Sequence, residues 1–527
     1  MQRRALLKGA AAAGLLASSS AVRSLPTAVS PIVRTVAGPV IGYQEEGVFQ
    51  FKGLRYAEPP LGELRFRPPR KLKPWKQPAS ALNFGAASMQ LSSGGSAVSY
   101  PGAVGPALNQ VFGSGRDRIT MDEDCLYLNV WSGGLSGPPR PVMVWFHGGG
   151  HNYGSGSWPA YDGHNLARDH DVVVVTVNHR LNVFGFMAAG DNPGESVNAG
   201  ELDLVASLEW VRDNIAAFGG DPDNVTIFGQ SGGGSKVSHC LVMPAAAGLV
   251  HKGIIQSGGG LSSGSMDDAM ETADKVAREL GLRRRQIGKL QQVPAGQLLA
   301  AAIRVRGRFG PAADGTVVPH APFDPAADQQ RDIPLIIGHT KDERTLYNIG
   351  LPWWGSLSDA ELAERAEAQF GDQGEAVVDA WRAVHPTYSN DYLYCDITNS
   401  HAWRTYGKAD AKVAAGGAPV WVYQWDWEAP VENGILRSPH TMEIPFVFNN
   451  VDKGPILLGA APSTRRLGVV ASRAWTAFAR TGDPNVDGLP EWPAYDSNAR
   501  QTMLFDIQSS VANDPLGRAR ELMMSLR

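Results

Sequence analysis

At 527 residues the chain is long enough for a sizeable core. With 43% apolar and 19% charged residues it is neither a disordered nor a fibrous protein. Its 48 basic and 52 acidic side chains give a net charge of −4, so no global positive field exists to gather phosphates, which excludes nucleic acid as a partner.

In chain order, the first predicted element is an export signal over residues 1–30. Arg3, Arg4, Leu6, Leu7 and Lys8 precede a small and apolar run from Gly9 to Val22, ended by Arg23. That run is shorter than the roughly 20 residues of a membrane-spanning helix. Its adjacent arginines read as a twin-arginine signal for export of a folded protein, cleaved between Ala21 and Ser30. An ordinary secretory signal carrying two arginines is the alternative. The expected location is the periplasm or the exterior of a bacterial cell, with no stable membrane span.

Residues 31–527 read as a single catalytic domain, because no linker divides them. Apolar, β-branched runs recur at Pro141 to Phe146, Asp171 to Val177, Val225 to Phe228, Gly253 to Ile255, Ile333 to Ile337 and Val420 to Trp425. Between two of them, Glu201 to Phe218 places Leu202, Val205, Leu208, Val211 and Ile215 at helical spacing. Continuous apolar strands separated by helices predict an α/β fold with a large, mostly parallel sheet covered on both faces. Leu91 to Gly115, rich in Gly, Ser and Pro, reads as a long loop. Met266 to Leu280 and Ser358 to Val384 read as helices of two insertions, near 262–332 and 345–415, that roof the site.

Two Gly-x-Ser-x-Gly pentapeptides occur, around Ser231 and Ser262. With 60 glycines in the chain about 0.5 such matches arise by chance, so context decides between them. A nucleophile elbow needs a strand directly before the serine and a helix directly after it. Ser231 has Val225 to Phe228 ahead and Gly234 to Met243 behind, whereas Ser262 sits in a Gly/Ser loop and reads as a connector. Upstream, the strand ending at Phe146 runs into His147-Gly148-Gly149-Gly150, the expected source of oxyanion-hole amides.

In this fold class the acid and the base follow the serine on loops after later strands. The strand ending at Ile337 leads to Asp342-Glu343, one of which is then the acid. The histidines beyond are His385, His401 and His440. His385 at a helix end and His401 in a polar segment read as satisfied or surface residues. His440, on a loop after the strand Val420 to Trp425, reads as the base.

With these motifs on the page, the sequence resembles the type-B carboxylesterase and cholinesterase-like family of α/β-hydrolases. The resemblance is carried by Phe51 to Phe66, Glu123 to Val130, Phe218 to Gly233, Trp475 to Pro484 and Glu491 to Tyr495, in that order. It implies Glu343 rather than Asp342 as the acid, His440 as the base, and Gly149, Gly150 and Gly232 as oxyanion donors. It implies no metal and no organic cofactor.

The chain departs from the family pattern at several points. Gln230 replaces the usual Glu and Gly232 the usual Ala on either side of the nucleophile. Cys125 stands at a family disulfide position whose partner position is occupied by Ser88, so Cys125 is expected to be an unpaired thiol. His151 replaces an aromatic residue after the glycine run, and the loop from Leu91 to Thr120 lacks the Trp that binds cationic choline esters.

The expected function is a serine carboxylic-ester hydrolase acting on small-molecule esters through an acyl-enzyme. The alternatives are an interfacial lipase and a non-catalytic cholinesterase-like binding protein. Arg304, Arg306 and Arg308 alternate and read first as a solvated edge; the alternative is an extended segment that projects all three from one face at the entrance, where they recognise an ester carrying a free carboxylate.

Overall fold

A computed structural model describes residues 31–526, apart from 91–98, 114–118, 191–192, 260, 262, 284–285 and 324–330. The expected export signal and Ser262 lie outside the described residues. Eleven strands form the central sheet: β1 (Tyr43–Glu45), β2 (Val48–Arg55), β3 (Tyr127–Ser132), β4 (Arg140–Phe146), β5 (Val173–Val177), β6 (Gly220–Gln230), β7 (Lys252–Gln256), β8 (Leu335–Thr340), β9 (Val420–Trp425), β10 (Gln501–Phe505) and β11 (Ser510–Asn513). Their spatial order is β11-β10-β9-β8-β7-β6-β4-β5-β3-β2-β1. The run from β5 through β4, β6, β7, β8 and β9 to β10 is parallel throughout. The strands at the two edges, β3-β2-β1 and β11, pair antiparallel.

The parallel strands are largely apolar because both faces are covered. In β4, Val142, Val144 and Phe146 pack with Leu204, Leu208 and Val211 of helix α1 (Ala199–Asn214) and Val237 of helix α2 (Gly232–Cys240). Met143 and Trp145, pointing the other way, join Trp475 and Phe478 of a long helix (Pro462–Thr481). Alternate residues of one strand thus feed two separate cores, which removes the polar positions that a half-exposed strand would show.

The first two family-like segments meet in space, since Arg65 pairs with Glu123 and Arg55 with Asp124. The insertions are helical, as expected. Helices α3 (Met266–Glu279) and α4 (Ala295–Val305) enclose a third core with Phe184, Phe186 and Phe309. The stretch from Ser358 divides at Gly371 into Asp359–Phe370, started by a capping box of Ser358 and Glu361, and Gly374–Val384. The expected loop over Leu91 to Gly115 is partly corrected, because Val104–Leu108 is a short helix whose Val104, Ala107 and Leu108 are buried. Among the described residues no helix is long and apolar enough to cross a membrane.

All three cysteines are free and buried. Cys125 has Ser88 beside it, and burial pushes its thiol well above the ordinary range. Burial likewise raises Cys240 and Cys395. Thiol titration should therefore find little reaction in the native protein and three thiols after unfolding, with activity and melting temperature unmoved by mild reductant. A single reactive thiol after unfolding would reveal a disulfide and overturn this assignment.

Candidate active site

Strand β6 ends at Gln230, and the chain turns sharply at Ser231 with φ 58° and ψ −121° before entering α2. This is a costly conformation for a residue with a Cβ. It is held by the Ser231 N–H, which donates to the Gln256 carbonyl at 2.8 Å and ties the turn to the end of β7. The small neighbours are a steric requirement. A Cβ on Gly233 would lie 1.9 Å from the Phe146 carbonyl oxygen, so only glycine lets α2 start this close to β4. Ser231 is left half-buried at the carboxyl edge of the sheet with a helix N-terminus behind it.

The glycine run meets this elbow backbone to backbone. Gly149 and Gly150 both have positive φ, 87° and 61°, and their amides donate to no main-chain acceptor among the described residues. A Cβ on Gly232 would stand 2.3 Å from the Gly150 carbonyl oxygen. The departure from alanine at 232 thus goes with a loop pressed against the elbow, and the Gly232 amide, first in its helix, is one of the donors a helix leaves free. Lys236, fully buried on α2, fixes the root of the run by donating from Nζ to the His147 carbonyl at 2.9 Å.

The candidate acid and the candidate base meet across two loops. Glu343 follows β8 in a tight turn; its Oε1 accepts from the Ser257 hydroxyl at 2.6 Å and from the Thr340 N–H at 2.9 Å. Its Oε2 is hydrogen-bonded to Nδ1 of His440, which is only 2% exposed. Burial works against the charge on Glu343, but the His440 ring and its hydrogen bond outweigh burial and hold the carboxyl well below the usual range. Asp342 has a different environment. It accepts from Tyr388 Oη at 2.8 Å and the Ser438 N–H at 3.2 Å, and burial pushes it up to about 6. Of the two candidate acids, Glu343 is the one brought to His440.

Gln230 lies beside the base, with Nε2 at 3.3 Å from both ring nitrogens of His440. His385 stacks on Tyr388 and approaches Asp396 at 3.8 Å, apart from this cluster, in keeping with a satisfied residue. His401 corrects the sequence reading. It projects from the helix Ser400–Ala415 to stack on His440, ring centroids 5.4 Å apart, and burial lowers it to about 4, so it stays neutral near pH 7. No spacing in the sequence marks it, because it reaches the site from a helix far from the other groups.

The alternating arginines are solvated surface, as first read, and not the extended edge that was the alternative. Residues 303–305 are helical and Arg306 is the left-handed C-cap of α4, so the segment is not extended and the three side chains do not share a face. Arg304 bonds Glu279, and all three remain exposed. Only Arg308 comes near the site, where its charge acts on His151 and His239.

The comparisons with known proteins agree with this architecture. The sequence profile described as "Carboxylesterase family" matches residues 29–521. The chain is 35% identical to the para-nitrobenzyl esterase of Bacillus subtilis, covering 93% of this chain and 98% of that one. It is 34% identical to the phenmedipham hydrolase of Pseudarthrobacter oxydans, covering 92% and 97%. The solved carboxylesterase of Geobacillus stearothermophilus superposes with a TM-score of 0.78 at 37% identity, covering 93% of this chain and 99% of that one. With a large mixed sheet, flanking helices and near full-length matches, the chain belongs to the carboxylesterase family, has the α/β-hydrolase fold and is a carboxylic-ester hydrolase.

Proposed function

We propose that the chain hydrolyses small-molecule carboxylic esters through a covalent acyl-enzyme, with Ser231 as nucleophile, His440 as base and Glu343 as the acid that orients it. The observation that carries this reading is the buried Glu343–His440 hydrogen bond, set on the sheet edge that carries the Ser231 elbow. In the first step Ser231 Oγ bonds to the ester carbonyl carbon as its proton passes to His440 Nε2. The carbonyl oxygen becomes an oxyanion facing the amides of Gly149, Gly150 and Gly232. Collapse breaks the carbon–oxygen ester bond, and His440 returns the proton to the leaving alcohol. Water then attacks the acyl-enzyme with His440 again taking the proton; collapse breaks the bond between Ser231 Oγ and the acyl carbon, His440 returns the proton to Oγ, and the acid is released as the second product. Glu343 remains ionised throughout, since its surroundings favour the charge.

The test is a fluorophosphonate probe followed by peptide mass spectrometry, together with turnover of an ester panel varied in acyl and alcohol size. One adduct per chain on Ser231, formed in parallel with loss of turnover, is expected. An adduct on another serine, or turnover that survives full labelling, would overturn the assignment. Export through the Arg3-Arg4 signal remains part of this proposal, and its own test is whether Arg3→Lys with Arg4→Lys holds the enzyme inside the producing cell.

A further inference from the structure

Glu201 is an acid without a role in this chemistry. It lies on α1 with no exposed surface, and neither carboxylate oxygen has a hydrogen-bond partner among the described residues. A buried carboxylate in that state is costly, and the other buried acid of α1 shows the usual remedy, Asp203 being paired with Arg180. The groups facing Glu201 are two imidazoles. Nε2 of His151, the residue directly after the glycine run, lies 3.2 Å from Glu201 Oε1 and makes no hydrogen bond among the described residues. His239 projects from α2 with Nε2 3.2 Å from Ser263 Oγ. One donor atom from each of His151, Glu201 and His239 falls within 4.8 Å of the other two.

We propose that His151, Glu201 and His239 form a site for a divalent transition-metal ion of the zinc type, separate from the ester-hydrolysing groups and joined to the oxyanion loop through His151. Two imidazoles and one carboxylate are borderline donors suited to zinc or cobalt, and three protein ligands leave a fourth position for water. A tetrahedral shell at about 2.0–2.1 Å sets neighbouring donors roughly 3.3 Å apart. The His151–Glu201 pair already has that separation, and His239 has to close by no more than a side-chain adjustment. The opposing charges are Lys236 and Arg308. Lys236 is turned to the His147 carbonyl, to which its Nζ donates at 2.9 Å, and Arg308 is exposed to solvent. The ion would neutralise Glu201 and hold His151, and with it the end of the glycine run, against α1 and α2.

A second trio of donors, Glu343, His401 and His440, belongs to the active site and sets the main competing outcome. The experiment uses the full chain stripped with a chelator and titrated with zinc against a chromophoric competitor, with cobalt spectra and thermal melts recorded alongside. In the His401→Asn variant one zinc per chain should remain, with the intense visible bands of four-coordinate cobalt and a metal-dependent rise in melting temperature. In Glu201→Gln and in His239→Asn zinc affinity should fall at least about 100-fold and the rise should vanish. Metal-free melts establish that each variant is folded, and two separate ligand variants guard against loss of one. No zinc or cobalt bound at about 1 mM, or zinc lost in His401→Asn but retained in Glu201→Gln, would overturn the proposal.

Discussion

Ser231→Ala and His440→Ala should each lower kcat for ester hydrolysis by about 10⁵- to 10⁶-fold, and the double variant should be scarcely worse than either alone. The two groups act as one unit, because a serine without a base stays protonated and a base without a serine has no acyl acceptor to activate. What remains should be the contribution of the oxyanion amides and of substrate binding. Ser231→Ala also relieves nothing at the turn, because the positive φ is imposed by the Gln256 carbonyl and by the contact between Gly233 and Phe146, not by the hydroxyl. Its melting temperature should stay within a few degrees of the parent, since the partly exposed hydroxyl fills no core. Ser262→Ala should turn over like the parent. Single-turnover and steady-state rates on one activated ester measure all of these. A dead Ser262→Ala with an active Ser231→Ala would move the nucleophile to the second pentapeptide.

The parallel strands were legible because burial on both faces makes their central residues largely apolar. Val420 to Trp425 is found as read, and β4 and β5 differ from their expected limits by only one or two residues. The antiparallel edges were not read. Tyr43–Glu45 and Ser510–Asn513 are short, and neither contains a fully buried residue, so no apolar pattern marks them. The polar start of β6, Gly220 to Asn224, was also invisible, since it pairs with β4 only across a register irregularity. In the site, the Ser231 elbow and the glycine run followed from a strand, a motif and a helix in succession. The choice of Glu343 over Asp342 came from the family resemblance and not from the local pattern, because both sit in one turn, and the fold brings Glu343 to His440.

Of the polar wall near the oxyanion loop His151 was legible, but Glu201 and His239 escaped for a related reason. The periodicity of α1 was read through Leu202, yet Leu202 is only partly buried while Glu201 and Asp203 are fully buried. Helical spacing marks apolar faces, and it is silent when a buried face is built from charged groups that partners must satisfy. His239 has the same history on α2, and so does His401 on the helix above His440. The arginines at 304, 306 and 308 are surface, as first read, and only the extended alternative fails. A spacing of two suggested a strand, but Ala295–Val305 is a helix with Leu298, Ala301 and Ala302 buried on its inner face.

Glu343→Gln should lower kcat by about 10³- to 10⁴-fold, while Asp342→Asn should stay within about tenfold of the parent. Glutamine keeps the size of Glu343 but removes the charge that stabilises the His440 cation as Ser231 is deprotonated. It also lets an amide N–H face Nδ1, which would select the wrong tautomer. Asp342 touches Tyr388 and the Ser438 N–H and bears no hydrogen bond to His440, so its loss perturbs packing rather than proton transfer. Stability should separate the two variants as well. The carboxyl of Glu343 is depressed in the folded state, so its ionisation stabilises the fold above the unfolded value and that gain is lost as pH falls through the folded one. Asp342 is raised to about 6, so between the ordinary carboxylate range and pH 6 the native state binds the extra proton, and stability declines as pH rises through that window. Relative to the parent, Asp342→Asn should therefore melt higher at pH 7 than at pH 4, and Glu343→Gln should melt lower at pH 7. Rates at saturating ester and melts at the two pH values decide the matter. A slow Asp342→Asn beside a fast Glu343→Gln would exchange the two carboxylates' roles.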